Sequence, residues 1–428
     1  MILIGLNELN FDYIKFYTQK ELLPNFKLLF DKHQLIETES EANYDLLEHW
    51  IQWVTIYTGK KYKDHKIFRL GDIVEAKKLE QFFEVIEKKG FTVGAVSPFN
   101  ADNRLKKAKF FIPDPWTKTK MSGNFIVRGI SDAISKSVNE NSKGSSSLSI
   151  ILKLLLGVLF YVPFSKYVFY FKMFTKRKMT GVKAIILDSL LIDVFSSLKN
   201  KTKPDFSYLF LNSGAHIQHH YLFNSSAYKG DLKNPEWYCP KEEDPLLEVL
   251  KIYDVLIGNL LIKKEKFIIA TGLHQQPHKD LTYYWRLNKH KDFMNLIGLN
   301  YYDNLLPRMS RDFLISFKNE DDSSKAQKLL ESIKLKRDKL HFFKVDNRGR
   351  SLFVELSYPN NLFKLDEVYS NLSNTVVKKI KSYISFVAIK NGEHNGVGYL
   401  VANFDLKLDK TKIDLTDVRG IIENSIIR

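Results

Sequence analysis

Met1-Ile2-Leu3-Ile4-Gly5-Leu6-Asn7-Glu8-Leu9-Asn10 opens the chain, and its first six residues decide the fold class. An unbroken apolar run this short, closing on polar residues, reads as a strand buried on both faces. Buried strands of that kind belong to mostly parallel sheets covered by helices on both sides. The run has no basic leader and no cleavage site, so the fold is expected to start at residue 1 and the protein to stay in the cytoplasm. In open α/β sheets the strand ends converge on one edge, where ligands bind. Asn7 and Glu8 are therefore the first candidate site residues.

The pattern continues outward in α/β fashion. A helix is expected from Phe11 to about Lys20, and Leu23-Pro24-Asn25 opens a second with Phe26, Leu28, Leu29 and Phe30 available to the sheet. Another covers Asp45 to Tyr57 and stops at Thr58-Gly59. The amphipathic stretch Lys77 to Lys89 leads through Gly90 into a buried strand ending at Val96. Strands at Asp205 to Leu211 and Phe267 to Thr271 deliver two polar, histidine-bearing segments, and a helix closes the chain from about Asp417. The expected architecture is an α/β/α sandwich with a mostly parallel central sheet, plus a small α+β insertion and an apolar helical insertion. The expected division is 1–135 and 181–312 as two parts of the core, 136–180 as linker and helical insertion, 313–384 as the α+β insertion, and 385–428 as the end of the core.

The chain has 428 residues, 44% hydrophobic and 27% charged, which is ordinary globular composition. The single cysteine, Cys239, excludes an intramolecular disulfide and a cysteine-rich zinc knuckle. Lysine and arginine number 65 against 49 acidic residues, a formal charge of +16. The lysines are scattered over polar faces with no aromatic-studded basic run, so a nucleic-acid partner is not expected. An acidic small substrate or anionic lipid remains. The most apolar part is Ile150 to Phe174, rimmed by Lys153, Lys166, Lys172, Lys176, Arg177 and Lys178. Lys153 and Pro163 interrupt it short of the roughly 20 residues a membrane span needs. Both a peripheral membrane contact through 150–174 and a hairpin packed on protein fit this pattern.

Histidines cluster at strand ends: His216, His219 and His220 after one strand, His274 and His278 after another, and His394 between Gly392 and Gly396. Neutral imidazoles joined by a carboxylate or amide oxygen suit zinc, iron or manganese. His216 and His220 share a face if their turn is helical.

These segments, in chain order, resemble the type I phosphodiesterase and nucleotide pyrophosphatase branch of the alkaline phosphatase superfamily. The resemblance rests on five stretches: Asn7 beside Glu8; Leu23-Pro24-Asn25 followed by Thr58-Gly59 and Asp64-His65-Lys66-Ile67; Asn212-Ser-Gly-Ala-His216; Gly392-Glu-His394-Asn-Gly396; and Leu415-Thr-Asp417-Val. It implies one divalent metal, zinc or manganese, held by His216, His220 and His394 with His274, Asn212 or Glu8 as further ligands. It places His49 where the family carries its hydroxyl nucleophile, nine residues before Thr58. His49 and Glu8 are the expected catalytic residues, with Ser40 as a reserve nucleophile. Asn7, Arg286, Arg308, Arg311 and His278 are the expected substrate contacts, because arginine forks suit phosphate. Three family aspartates are replaced, by Asn7, Asn212 and Leu273, so one metal or none is expected rather than two. The implied activity is a metal-assisted phosphoester hydrolase or phospho-group transferase acting on a glycan, nucleotide-sugar or lipid-linked intermediate. Bacterial surface polysaccharide biosynthesis is the context by analogy. The alternative is a catalytically degenerate scaffold that binds a phosphorylated ligand or partner.

Overall fold

The computed structural model describes residues 1–139, 148–175, 179–308 and 311–427. Residues 140–147 of the expected linker, and the basic triplet Lys176, Arg177 and Lys178, lie outside these residues. The chain forms two compact units, Met1–Pro277 with Gly392–Arg428, and His278–Asn391.

In the first unit eight strands form one sheet. Their order is Lys412–Asp414, Ile36–Glu39, Val397–Ala402, Phe267–Ala270, Ile2–Leu6, Phe206–Leu211, Val93–Val96 and Phe110–Ile112. Every neighbouring pair is parallel except those made by Val397–Ala402, which runs against both its neighbours. The opening strand is near the centre, with Ile2 opposite Ser207 and Leu6 opposite Leu211. Its period of two sends alternate side chains to opposite faces. Ile2, Ile4 and Leu6 join a core that includes Phe11, Ile14, Tyr17, Leu250 and Tyr253. Leu3 points the other way, into a core with Trp53, Tyr57, Phe82, Phe83 and Ile422. Burial of each such side chain contributes about 1.5–3 kcal/mol. Helices thus cover both faces, and the architecture is an α/β/α sandwich. Gly5 lets the second face close: a Cβ there would come within 2.9 Å of Trp53 and 2.8 Å of both Tyr208 and Phe210.

The helical insertion comprises Phe125–Asn139, Leu148–Tyr161, a short turn at Phe164–Lys166, and Tyr167–Thr175. Among the described residues no helix is long and apolar enough to cross a membrane. The second unit carries an antiparallel sheet ordered Phe343–Asn347, Ser351–Leu356, Asp312–Ser316 and Asn304–Pro307. The helix Glu320–Glu331 begins at Asn319, whose side chain accepts from Asp322 N. It ends at Glu331, ahead of Lys334–Leu335, which pairs as a strand with Val368–Ser370.

Two local features of the first unit position the site. The helix expected from Asp45 starts at His49, because Glu48 is extended (ψ 130°) and only a short turn at Tyr44–Leu46 precedes it. Gly59 in the left-handed region (φ 64°) ends it, as the Thr58-Gly59 step predicts. The helix Pro24–Lys32 has no capping side chain of its own. Asp254 supplies one from a distance, accepting from Asn25 N at 3.0 Å, Phe26 N at 2.8 Å and Asn25 Nδ2 at 2.8 Å. A carboxylate on orphan helix N–H groups is a charge-assisted cap. Asp254→Ala is expected to lower unfolding stability by about 2–3 kcal/mol, read as a shift in the urea midpoint.

Candidate active site

The carboxyl ends of the parallel strands place Asn7 and Glu8, Asn212, and Thr271 to Gln275 along one edge. Val397–Ala402 is antiparallel, so its beginning lies at this same edge and brings His394 with it. Glu8 turns the chain in the left-handed region (φ 53°). Its backbone is tied to three segments: Glu8 N donates to Thr271 O at 3.2 Å, while Gln275 N (3.1 Å) and Gln218 Nε2 (2.9 Å) donate to Glu8 O.

The Glu8 side chain is fully buried and surrounded by polar groups. His49 Nδ1 lies 2.6 Å from Oε1; His219 Nε2 and His394 Nε2 lie 2.9 and 3.1 Å from Oε2. Gln275 Nε2 donates to Oε2 at 2.5 Å and Asn7 Nδ2 to Oε1 at 3.1 Å. Burial by itself raises an acid's pKa, but His49, His394 and His219 outweigh it and hold Glu8 well below the ordinary carboxylate range. Asn7 also donates to Asn212 Oδ1 at 2.7 Å and accepts from Trp53 Nε1 at 2.8 Å. Glu48 is half-buried, 3.7 Å from His394 Nδ1; burial pushes its pKa up against the pull of His394 and His49.

His219 sits on the helix Ser213–Tyr221. Its N-cap, Asn212, makes no side-chain cap bond, and Asp188 takes that role by accepting from Ser213 N at 2.9 Å. Tyr253 OH bridges the same corner, donating to Asp188 at 2.5 Å and accepting from Gly214 N at 3.0 Å. Burial lifts the Asp188 pKa to about 6, opposed by the bonds from Tyr253 and Ser213.

Several expected site residues meet here, and others are placed elsewhere. Glu8, His49 and His394 converge, with Asn7 and Asn212 beside them. His216 and His220 share the helix face their spacing requires, with ring centroids 4.9 Å apart. His219, one turn from His216, is the member of that trio that reaches Glu8, and it was absent from the implied ligand set. His274 Nδ1 lies 2.6 Å from Val397 O and its ring stacks on Tyr399; its neighbour Gln275 is the residue that reaches the carboxylate. Ser40 donates to Gly272 O at 2.9 Å. Arg286, Arg308, Arg311 and His278 belong to the second unit. There Arg311 pairs with Glu355 and lies over the Tyr284 ring, and His278 Nε2 is 3.3 Å from Thr282 Oγ1. His65, from the motif after Thr58-Gly59, accepts from Ile67 N at 3.0 Å and lies 3.3 Å from Thr55 Oγ1. Burial pushes its pKa down to about 4, which keeps the ring neutral.

Among the described residues, Glu8, His49 and His394 are the group whose donor atoms lie close enough to share one ion, all within 4.8 Å of each other. The buried Nδ1 of His49 supports that fit, because it faces Glu8 without the alignment of a hydrogen bond. One carboxylate and two imidazoles form the donor set of a catalytic site that keeps a coordination position open.

No family model matches the chain, and no curated protein matches it. Solved structures similar to it include phosphonoacetate hydrolase from Sinorhizobium meliloti 1021 in complex with phosphonoformate. That likeness has 11% identity, covers 99% of this chain and 95% of that one, and has a TM-score of 0.44. Murine ectonucleotide pyrophosphatase/phosphodiesterase 5 is similar at 11% identity, covering 100% and 95%, with a TM-score of 0.43. Wild-type alkaline phosphatase PafA is similar at 11% identity, covering 100% and 95%, with a TM-score of 0.48.

Two outcomes follow from this geometry. A Cβ on Gly392 would collide with Gln275 Oε1 and come within 2.9 Å of Gln218 O. Gly392→Ala should therefore cost about 1–3 kcal/mol of stability, measured by denaturant unfolding. Asp188 binds its proton more tightly folded than unfolded, so its ionisation reduces stability as pH rises from about 4 to 6. Asp188→Asn removes that fall, up to about 3 kcal/mol. Urea midpoints across that window should drop in the parent protein relative to the variant, then stay parallel above it.

Proposed function

We propose that the chain is a divergent member of the alkaline phosphatase superfamily and a metal-assisted phosphoester hydrolase or phospho-group transferase. The observation that carries this reading is the convergence of Glu8, His49 and His394 at the ligand-binding edge of the sheet. These three residues would hold a zinc or manganese ion. When bound, such an ion supplies Lewis-acid polarisation of a phosphoryl oxygen.

The chain's own residues do the rest. Glu8 stands 2.6 Å from His49 Nδ1 and keeps that ring at the sheet edge, where it would serve the ion. Trp53 and Asn212 lock the Asn7 amide, so its dipole is oriented before a substrate arrives. Gln275 and His219 occupy the remaining side of Glu8 and hold the carboxylate in one orientation.

The overall positive charge favours an anionic substrate. A phosphorylated glycan, nucleotide-sugar or lipid-linked intermediate is the substrate class we assign, with a cytoplasmic setting and surface polysaccharide synthesis as the analogous context.

Metal analysis of untagged protein, paired with hydrolysis of an aryl phosphodiester, tests the reading. Glu8→Gln and His394→Ala are expected to lose the ion and lower turnover by about 100-fold or more. His216→Ala, away from the carboxylate, is expected to keep the ion. Protein that binds no metal and loses no hydrolysis in either site variant would leave the degenerate scaffold as the correct account.

A further inference from the structure

The helix Leu148–Tyr161 is apolar all round, which is the pattern of a helix covered on every side. Its inner face is covered: Ile150 and Tyr161 are buried, and Leu154 and Val158 pack on the core. Its outer face is not. Leu152, Leu156, Leu159 and Phe160 stand exposed at helical spacing, and the stripe continues through Phe164 and Phe171, which are 85% and 70% accessible. Contiguous apolar surface on this scale marks an interaction site.

Charge identifies the occupant. No Asp or Glu occurs between Glu140 and Asp188, whereas Lys153, Lys166, Lys172 and Lys183 do. Lys153 is neutralised by Asp132 and Lys166 by Asp193 at 2.5 Å, both carboxylates coming from neighbouring helices. Those two pairs leave Lys172 on the segment and Lys183 just after it as the basic groups that no acid of the segment offsets. Two copies joined through this face would bring like charges together, whereas an anionic lipid surface complements it. A helix of 14 residues is about 21 Å long, short of the roughly 30 Å hydrocarbon core, so the segment can lie in the interface and not span it. Tyr167 has the apolar body and polar tip favoured at that depth.

We infer that the helical segment formed by Leu148–Tyr161, Phe164–Lys166 and Tyr167–Thr175 is a peripheral docking surface for an anionic lipid bilayer. The inference rests on this face alone and holds whether or not the site at Glu8 turns over phosphoesters. The test is flotation of the full chain with vesicles of phosphatidylcholine, alone or mixed with phosphatidylglycerol. The expected result is binding to the mixed vesicles, weakened by salt, and reduced about tenfold or more in the double variant Phe164→Glu, Phe171→Glu. Both positions are solvent-facing, and an unchanged circular dichroism spectrum confirms that the variant folds. Failure of the parent protein to float with mixed vesicles, or equal flotation of the folded variant, overturns the proposal. A dimer seen by sedimentation, dispersed by the same substitutions in protein that ignores vesicles, assigns the face to a second copy instead.

Discussion

The arrangement at the sheet edge depends on one buried carboxylate. An ionised carboxylate removed from water is costly unless it is paired and hydrogen-bonded. Glu8 meets that condition only because four separate segments supply partners: the helix beginning at His49, the helix carrying His219, the turn at Gln275, and the residue His394 ahead of the antiparallel strand. Each partner is therefore held in place by the same charge. A shift in any one segment leaves the carboxylate less well paired, and this couples the sheet edge to the helices above it.

The same carboxylate limits the chemistry. A pair of closely spaced divalent ions needs several carboxylates to offset their charge. Glu8 is the acid that meets three imidazoles, and Glu48 stands 3.7 Å from His394 Nδ1. Asn7 and Asn212 have become hydrogen-bond partners of one another, with Trp53 closing the chain. The network they form is a neutral amide one. Beside it, Glu8, His49 and His394 offer donor atoms within 4.8 Å of one another.

The helical insertion obeys a different constraint. The sheet and its covering helices bury their apolar residues within the unit, as Ile2, Leu3, Ile4 and Leu6 show. The Leu148–Tyr161 helix has apolar residues on two opposite faces and one core to bury them in. The surplus face is a cost in water that a partner surface would relieve.

Sequence periodicity by itself determined the α/β class, the buried strand Ile2–Leu6, the stop at Gly59 and the polar ends where chemistry collects. Those features are local, because a side-chain period and a capping glycine act within a few residues. It also singled out three histidine-bearing segments that meet Glu8, but not which side chain in each faces it. His219 replaces His216 at the carboxylate because Asp188 and Tyr253 fix the start of that helix and so its rotation. His274 turns to Val397 while Gln275 takes the inner position, which depends on how the turn after Ala270 packs. His394 joins because one strand runs antiparallel to its neighbours and begins where the others end. Helix rotation and strand direction are set by contacts between residues tens to hundreds of positions apart, so only the tertiary structure could decide them.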